Sequence, residues 1–337
     1  MKALVLGALG AANLAVREVP DPKPGRGQVL VRMRAASLNY RDLLVVEGKY
    51  GSLQKRENLI LLSDGAGEIA GLGEGVGEWK IGDRVIGCFL PDWKAGPPQE
   101  QLARRALGGA VDGVACQYRV FASDEILPIP AHLSFVEAAT LPCAGLTAWN
   151  AVRCAFSSGP EHVVLTQGTG GVSLFALQFA RLAGATVIAT SSSEPKLDRL
   201  REFGAAHVIN YRQDSEWGRT ARTLAHGRGV DLVVEVGGAG TLKQSIRATR
   251  MGGAIAVIGV VSGVAAELNL ALIAMNSLRM IGIGVGNRAQ LADMLRAIEG
   301  HSLRPVVDRV FPWAEFAEAL GWLQSGKHVG KVCLEIE

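Results

Sequence analysis

The chain has 337 residues, 48% of them hydrophobic and 20% charged, enough length for two ordinary domains and enough apolar matter for sizeable cores. Its 35 basic and 32 acidic residues are mixed along the chain, so the formal charge of +3 comes without the basic stripe of a nucleic-acid surface, and no nucleic-acid partner is expected. No run of about 18 apolar residues suggests a membrane partner, and MKALVLGALGAANLAVREV runs into charged sequence without a cleavage site, which points to the cytoplasm.

From Met1 to about Ser123, the short runs KALVL, QVLVRMRAASL, AGEIAGLG, DRVIGCF and ACQYRVF are broken by glycine and proline and predict an irregular β domain. Within it, PDWKAGPPQEQLARRALGGAVDG at 91–113 has no clear period and predicts a long surface excursion. The five cysteines (Cys88, Cys116, Cys143, Cys154 and Cys333) are odd in number, scattered and free of any C-x-x-C pair. They indicate neither a disulfide framework nor a four-cysteine zinc clip, and most are expected to be buried small hydrophobes.

After about Leu141 the texture changes. The runs HVVLTQG, TVIATS, HVINY, DLVVEVG, AIAVIGV and LRMIGIGVG alternate with helical stretches, which predicts βαβ units and a parallel sheet covered on both faces, a Rossmann-like α/β domain. The helix at 172–183, VSLFALQFARLA, is apolar nearly all round and is expected in the core. The tail from Arg288 gives a helix, a strand, a helix with Trp313, Phe316, Leu320 and Leu323 on one face, and a last strand KVCLEI; it leaves the βαβ rhythm and is expected to return to the first domain.

The stretch VVLTQGTGGVSLFALQFARLAGATVIATSSSEPK at 163–196 carries the chemistry. A glycine turn between strand and helix lets backbone N–H groups and a helix N-terminus approach a pyrophosphate, and Gly168, Thr169, Gly170, Gly171 and Val172 form that turn. Ser173 replaces a third glycine, a small change where helix and strand pack. Ser191, Ser192 and Ser193, with Lys196 nearby, stand where an acid would hold the ribose of NAD, and they favour the 2′-phosphate of NADP(H) instead. The same serines could cap the following helix, with Pro195 in its first turn, and both roles can hold together.

Taken together, GEGVGEWKIGDRV, AATLPCAGLTAW, GTGGVSLFALQFA and HVGKV resemble the medium-chain dehydrogenase/reductases over nearly the whole chain. The resemblance implies a GroES-like substrate and catalytic domain over 1–144, completed by 288–337, and a Rossmann NADP(H)-binding domain over 145–287. Zinc enzymes of the family hold their metal on a cysteine before an Asp, on a His-Glu pair ahead of G-A-G, and on a third residue, commonly cysteine, near the domain junction. Here NYRD, SDGAG and LPCAG put Asn39, Ser63 and Cys143 at those positions, and the cysteine cluster of the structural zinc lobe is missing from 88–116. One thiolate cannot hold Zn²⁺, so no zinc is expected and the chain looks like the zinc-free, quinone-oxidoreductase-like branch.

Without a metal, hydrogen-bond donors must stabilise the charge that develops on hydride transfer, which suits quinones and α,β-unsaturated carbonyls. The resemblance points to Asn39, Tyr40 and Tyr50 as candidate donors; the structural alternative is backbone bonding for Asn39 and packing for the tyrosines, with Arg41 and Asp42 an ion pair. It further implies cofactor contacts at Thr147, Tyr211, Gly237, Val260, Asn287 and Lys331, the last otherwise an ordinary surface charge, and a homodimer paired through LRMIGIGVG. The expected activity is NADPH-dependent reduction of a small-molecule quinone or enone. The alternatives are a metal-independent alcohol or ketone dehydrogenase and a non-catalytic NADPH-binding protein.

Overall fold

The computed structural model describes residues 1–52, 54–55, 57–155 and 161–337. The chain divides into a first unit, Met1–Leu146 with Gly286–Glu337, and a second unit, Thr147–Val285. The first opens with β1 Lys2–Leu6, β2 Leu14–Glu18, β3 Gln28–Ser37, α1 Tyr40–Val46, β4 Leu59–Ile60, β5 Asp64–Leu72, β6 Arg84–Gly87, β7 Tyr118–Ala122, β8 Ile126–Pro128 and α2 Phe135–Ala139. Along β3, Val29, Val31 and Met33 are buried while Arg32 is exposed, the period-two alternation of a strand with one face on a core. β5 runs antiparallel to β3 with Ser37 opposite Asp64, so the chain after β3 and the chain entering β5 lie side by side. That register places Asn39 near Ser63 and Asp64.

The segment 91–113 is not the plain surface excursion its lack of period suggests. Trp93 and Ala106 are buried and Leu107 is fully buried within the first unit's core. Gly108, at φ +60°, and Gly113 bring this backbone against that of Leu61 and Leu62, where a Cβ would stand 2.4 and 2.0 Å from the nearest atom. A loop can dock through a few such close approaches without leaving any periodic signal.

The second unit is entered through α3 Leu146–Arg153 and continues with β9 Val163–Gln167, α4 Gly171–Leu182, β10 Thr186–Ser191, α5 Glu194–Glu202, β11 His207–Asn210, α6 Trp217–Leu224, β12 Val230–Glu235, α7 Leu242–Ala248, β13 Thr249–Val257, α8 Leu270–Met275 and β14 Arg279–Gly282. Its six strands are parallel, in the order β11-β10-β9-β12-β13-β14. Every residue of β9 and β12 is buried, as expected of central strands covered on both faces. The strand order reverses between β9 and β12, the switch point outside whose carboxyl ends α/β sheets bind ligands. α4 buries Ser173–Leu177, Phe179 and Ala180, the core position its composition predicts.

The tail folds back onto the first unit as α9 Arg288–Gly300, β15 Val307–Pro312, α10 Phe316–Gln324 and β16 Lys331–Glu335. Trp313, Phe316, Leu320 and Leu323 enter that unit's core together. β16 pairs antiparallel with β3, Leu334 opposite Ala36, and the Leu38 N–H donates to the Val332 carbonyl. Lys331 is thereby set beside Asn39. Among the described residues no helix is long and apolar enough to cross a membrane.

Candidate active site

In the second unit the turn after β9 has the shape a phosphate needs. Gly168 adopts φ +73°, and open space lies where a Cβ on Gly168 or Gly170 would stand. α4 begins at Gly171 with no side-chain cap, so its first N–H groups are left for a ligand. Ser173, in the third-glycine position, is buried and its hydroxyl donates to the Gln167 carbonyl at 2.5 Å. These residues fit a dinucleotide pyrophosphate. Thr169 and Thr147 are buried, whereas Val172 is only partly so.

At the end of β10, Ser191 is buried while Ser192, Ser193 and Lys196 are partly exposed. Ser193 occupies the N-cap of α5 but its side chain makes no capping bond. The Tyr211 N–H donates to the Ser191 carbonyl at 3.1 Å, and Tyr211 is exposed. Glu194 is the nearby acid, and its carboxylate accepts from Asn210 Nδ2 at 2.7 Å. Gly237 packs so tightly that a Cβ would lie 2.3 Å from the Thr241 hydroxyl, and Val260 is exposed.

In the first unit the structure brings together two residues predicted for different tasks. Lys331 is 3% exposed, and its ammonium donates to the Leu38 carbonyl at 2.6 Å and to Asn39 Oδ1 at 2.5 Å. Asn39 Nδ2 is buried without a well-formed hydrogen bond, and the acceptor its N–H groups act on is the Asp64 carboxylate, whose charged form they favour. Asp42 Oδ2 accepts from the Asn39 N–H at 2.7 Å, and its Oδ1 has no hydrogen-bond partner. Asp64 accepts from the Ser63 hydroxyl at 2.7 Å and from the Cys143 N–H at 3.1 Å. Neither buried carboxylate was visible as such in the sequence, since strand alternation does not tell which polar residue is enclosed.

Arg41 completes the cluster, 3.6 Å from Asp42, with its guanidinium 4.2 Å from the Tyr50 ring centre and 4.9 Å from that of Phe89. Tyr50 therefore packs on a cation, while Tyr40 is exposed at the start of α1. Asn287 is committed to the fold: its Oδ1 accepts from the Gln290 N–H at 2.9 Å and its Nδ2 donates to the Gly96 carbonyl at 3.2 Å. This caps α9, a role that Asn followed three residues later by Gln signals in the sequence.

The donor set does not suit zinc. The amide of Asn39 and the hydroxyl of Ser63 are not the Cys, His or carboxylate ligands the metal takes, and burial, with Asp64 second, pushes the Cys143 thiol far up. Among the described residues no three His, Cys, Asp or Glu side chains are grouped to hold a metal ion.

Burial also pushes Asp42 up to about 6 from 3.8, against the opposing pull of Arg41 and the Asn39 N–H, and it raises Asp64 against Lys331 and Ser63. Because the native state holds the Asp42 proton more tightly than the unfolded chain, the stability it contributes is complete below about pH 4 and is lost as pH rises through about 6, on the order of 3 kcal/mol. Asp42→Asn is expected to flatten that fall in a series of urea denaturations. Identical slopes in the two proteins would contradict it.

Comparison with known proteins agrees with the architecture. The alcohol dehydrogenase GroES-like domain model matches residues 25–131, and the zinc-binding dehydrogenase model matches residues 171–300. A zinc-type alcohol dehydrogenase-like protein of Schizosaccharomyces pombe is 42% identical, covering 95% of this chain and 94% of that one. An acryloyl-coenzyme A reductase of Metallosphaera sedula is 28% identical over 95% of each chain. A crystal structure of a candidate alcohol dehydrogenase from Sinorhizobium meliloti 1021 has a TM-score of 0.93 at 39% identity, covering 99% of this chain and 98% of that one. With a GroES-like β domain, a Rossmann sheet and relatives of this closeness along its length, the chain belongs to the medium-chain dehydrogenase/reductase superfamily of oxidoreductases.

Proposed function

We propose that the protein is a zinc-independent, NADPH-dependent reductase of quinones or α,β-unsaturated carbonyls. The observation that carries this reading is the buried Asn39 Nδ2, an amide with two N–H donors and no well-formed hydrogen bond, of which the Asp64 carboxylate can take up one and leave the other without an acceptor. An orphaned buried donor costs free energy and is retained where a ligand supplies the acceptor. Bound NADPH would supply a hydride to the electron-poor carbon of the substrate. Asn39 then donates to the carbonyl or quinone oxygen as negative charge spreads onto it, and water supplies the proton that completes the reduction. A single amide suits a delocalised enolate or hydroquinone anion better than a localised alkoxide.

Preference for the 2′-phosphate is supported by Ser191, Ser192, Ser193 and Lys196 at the end of β10, and by the engagement of Glu194 with Asn210. A homodimer is supported by β14, which ends the sheet among the described residues, and by the exposure of Met280 on it and of Leu270 and Met275 on α8. Light scattering is expected to give twice the chain mass, and a monomer at micromolar concentration would exclude this assembly.

The activity is tested by following NADPH and NADH consumption over a panel of quinones and enones, with metal analysis of the same sample. Turnover that prefers NADPH, survives chelation and needs no stoichiometric zinc is expected. Activity linked to bound zinc, oxidation of secondary alcohols without quinone or enone reduction, or tight NADPH binding without any turnover would each overturn the reading.

A further inference from the structure

We propose that the first unit carries a second binding site, a cavity for a small molecule with one carboxylate on an apolar body, in which the Arg119 guanidinium takes the carboxylate. None of Asn39, Asp42, Ser63, Asp64, Cys143 and Lys331 lines this cavity, and the inference does not rest on the activity proposed above.

The cavity has a volume of about 540 Å³, inside the ~300–1,000 Å³ usual for small-molecule sites. Its walls come from β1, β2, β4 and β7 and from the chain after β2, with Val5, Val19, Ile60 and Val120 among the apolar side chains. Arg119 reaches it because of strand register. In β7, Arg119 lies opposite Val31 of β3 and Phe121 opposite Val29, and residues opposite one another share a face of the sheet. Val29, Val31 and Phe121 are buried, so the register turns a cation to the core side.

The fold leaves that cation without a counter-charge of its own. Arg119 Nη1 donates to the Gly113 carbonyl at 2.6 Å and the guanidinium stands 5.2 Å from the Phe121 ring centre, but Nε is enclosed with no hydrogen-bond partner. Among the described residues no carboxylate lies within ion-pair distance of it. The two that act on it from farther away are already claimed, Asp112 by Lys55 at 2.8 Å and Glu125 by Arg105 at 3.3 Å. Burial is accordingly the largest influence on Arg119 and lowers its pKa despite those pulls. Cys116, on the same wall, supplies no charge, since burial pushes its thiol up to about 12.

The other charges select the ligand. A guanidinium fork accepts a carboxylate or a phosphate equally well in shape. The cavity is also lined by Glu18, by Asp112 with its partner Lys55, and by Arg17, whose Nη1 donates to Asn58 Oδ1 at 3.4 Å. The Met1 ammonium on this wall is paired with Asp21 at 2.5 Å. Arg17, Lys55 and Arg119 thus face two carboxylates, a surplus that one carboxylate cancels and a doubly charged phosphate overshoots. The valine and isoleucine walls take the apolar body, whose burial supplies the rest of the affinity.

The test titrates the full-length protein with benzoate, with benzamide as its neutral counterpart and with inorganic phosphate, and follows the heat released. Benzoate is expected to bind at least about tenfold more tightly than either of the others, and Arg119→Met to weaken it by a similar factor, with partial recovery in Arg119→Lys. Equal affinity for benzoate and benzamide, tighter binding of phosphate, or no change in Arg119→Met would overturn the proposal. A crystal soaked in 4-iodobenzoate needs no variant, so it decides the matter even where the Arg119 variants fail to fold. Its iodine is expected against Val5, Val19 and Ile60, with the carboxylate on Arg119. Iodine found only elsewhere, or binding at crystal concentration only, would overturn the assignment, whatever the protein does with quinones.

Discussion

Asn39→Asp is expected to lower kcat for quinone or enone reduction by roughly 10²- to 10³-fold, the usual consequence of removing one donor to a developing oxyanion. The exchange is isosteric, and Lys331 keeps an oxygen to donate to, so the local fold has reason to persist. What disappears is the pair of N–H groups on Nδ2. An interaction made only as charge develops lowers kcat and kcat/KM together, whereas a lost ground-state contact raises KM alone. Asn39→Leu removes the donor without adding a carboxylate beside Asp42 and Asp64, and it separates loss of the hydrogen bond from added negative charge. Both variants are expected to bind NADPH as the wild type does. Retention of kcat within about threefold in both would remove Asn39 from the chemistry.

The extent to which this site could be read beforehand depended on the range of each signal. β3, α4 and the parallel sheet follow from local periodicity and from the glycine turn, because each is decided within one strand-helix unit. Asn39 and Lys331 each stand out locally, one at a ligand position and one before the last strand. Their contact depends on the register of a strand from the far end of the chain, which no local pattern encodes. The burial of Asp42 and Asp64 was hidden for a related reason: a carboxylate enclosed by distant segments looks like any other acid in sequence. Leu107 shows the same limit for an apolar residue, since its loop docks through two glycine approaches and lacks a repeating face.

Glu235→Ala is expected to destabilise the second unit by about 3–5 kcal/mol and to weaken NADPH binding at least tenfold, because buried donors left without an acceptor cost ~1–3 kcal/mol each and partial relaxation or water recovers some of the sum. Glu235 is fully buried at the end of β12. One carboxylate oxygen accepts from the N–H groups of Gly237 and Gly238, both at 2.9 Å, and from the Thr241 hydroxyl at 2.6 Å. The other accepts from Gln167 Nε2 at 2.9 Å and from the Ser245 hydroxyl. Gln167 Oε1 in turn accepts from the N–H groups of Val236 and Gly237, both at 3.2 Å.

Gln167 immediately precedes Gly168, so this network ties the glycine turn after β9 to the loop after β12, the two strand ends that flank the switch point. Glu235→Gln keeps the shape and one oxygen but turns an amide donor toward Gln167 Nε2 and Ser245, of which only the hydroxyl can reverse its role. Its cost should accordingly be smaller, about 1–2 kcal/mol. Thermal unfolding of the two variants, with NADPH affinity from fluorescence titration, checks the order wild type, Gln, Ala in both quantities. If Glu235→Ala melts and binds NADPH as the wild type does, the network does not hold the turn, and the loop geometry must come from the packing of Gly237 against Thr241 and of Gly238 against the Gly263 backbone instead.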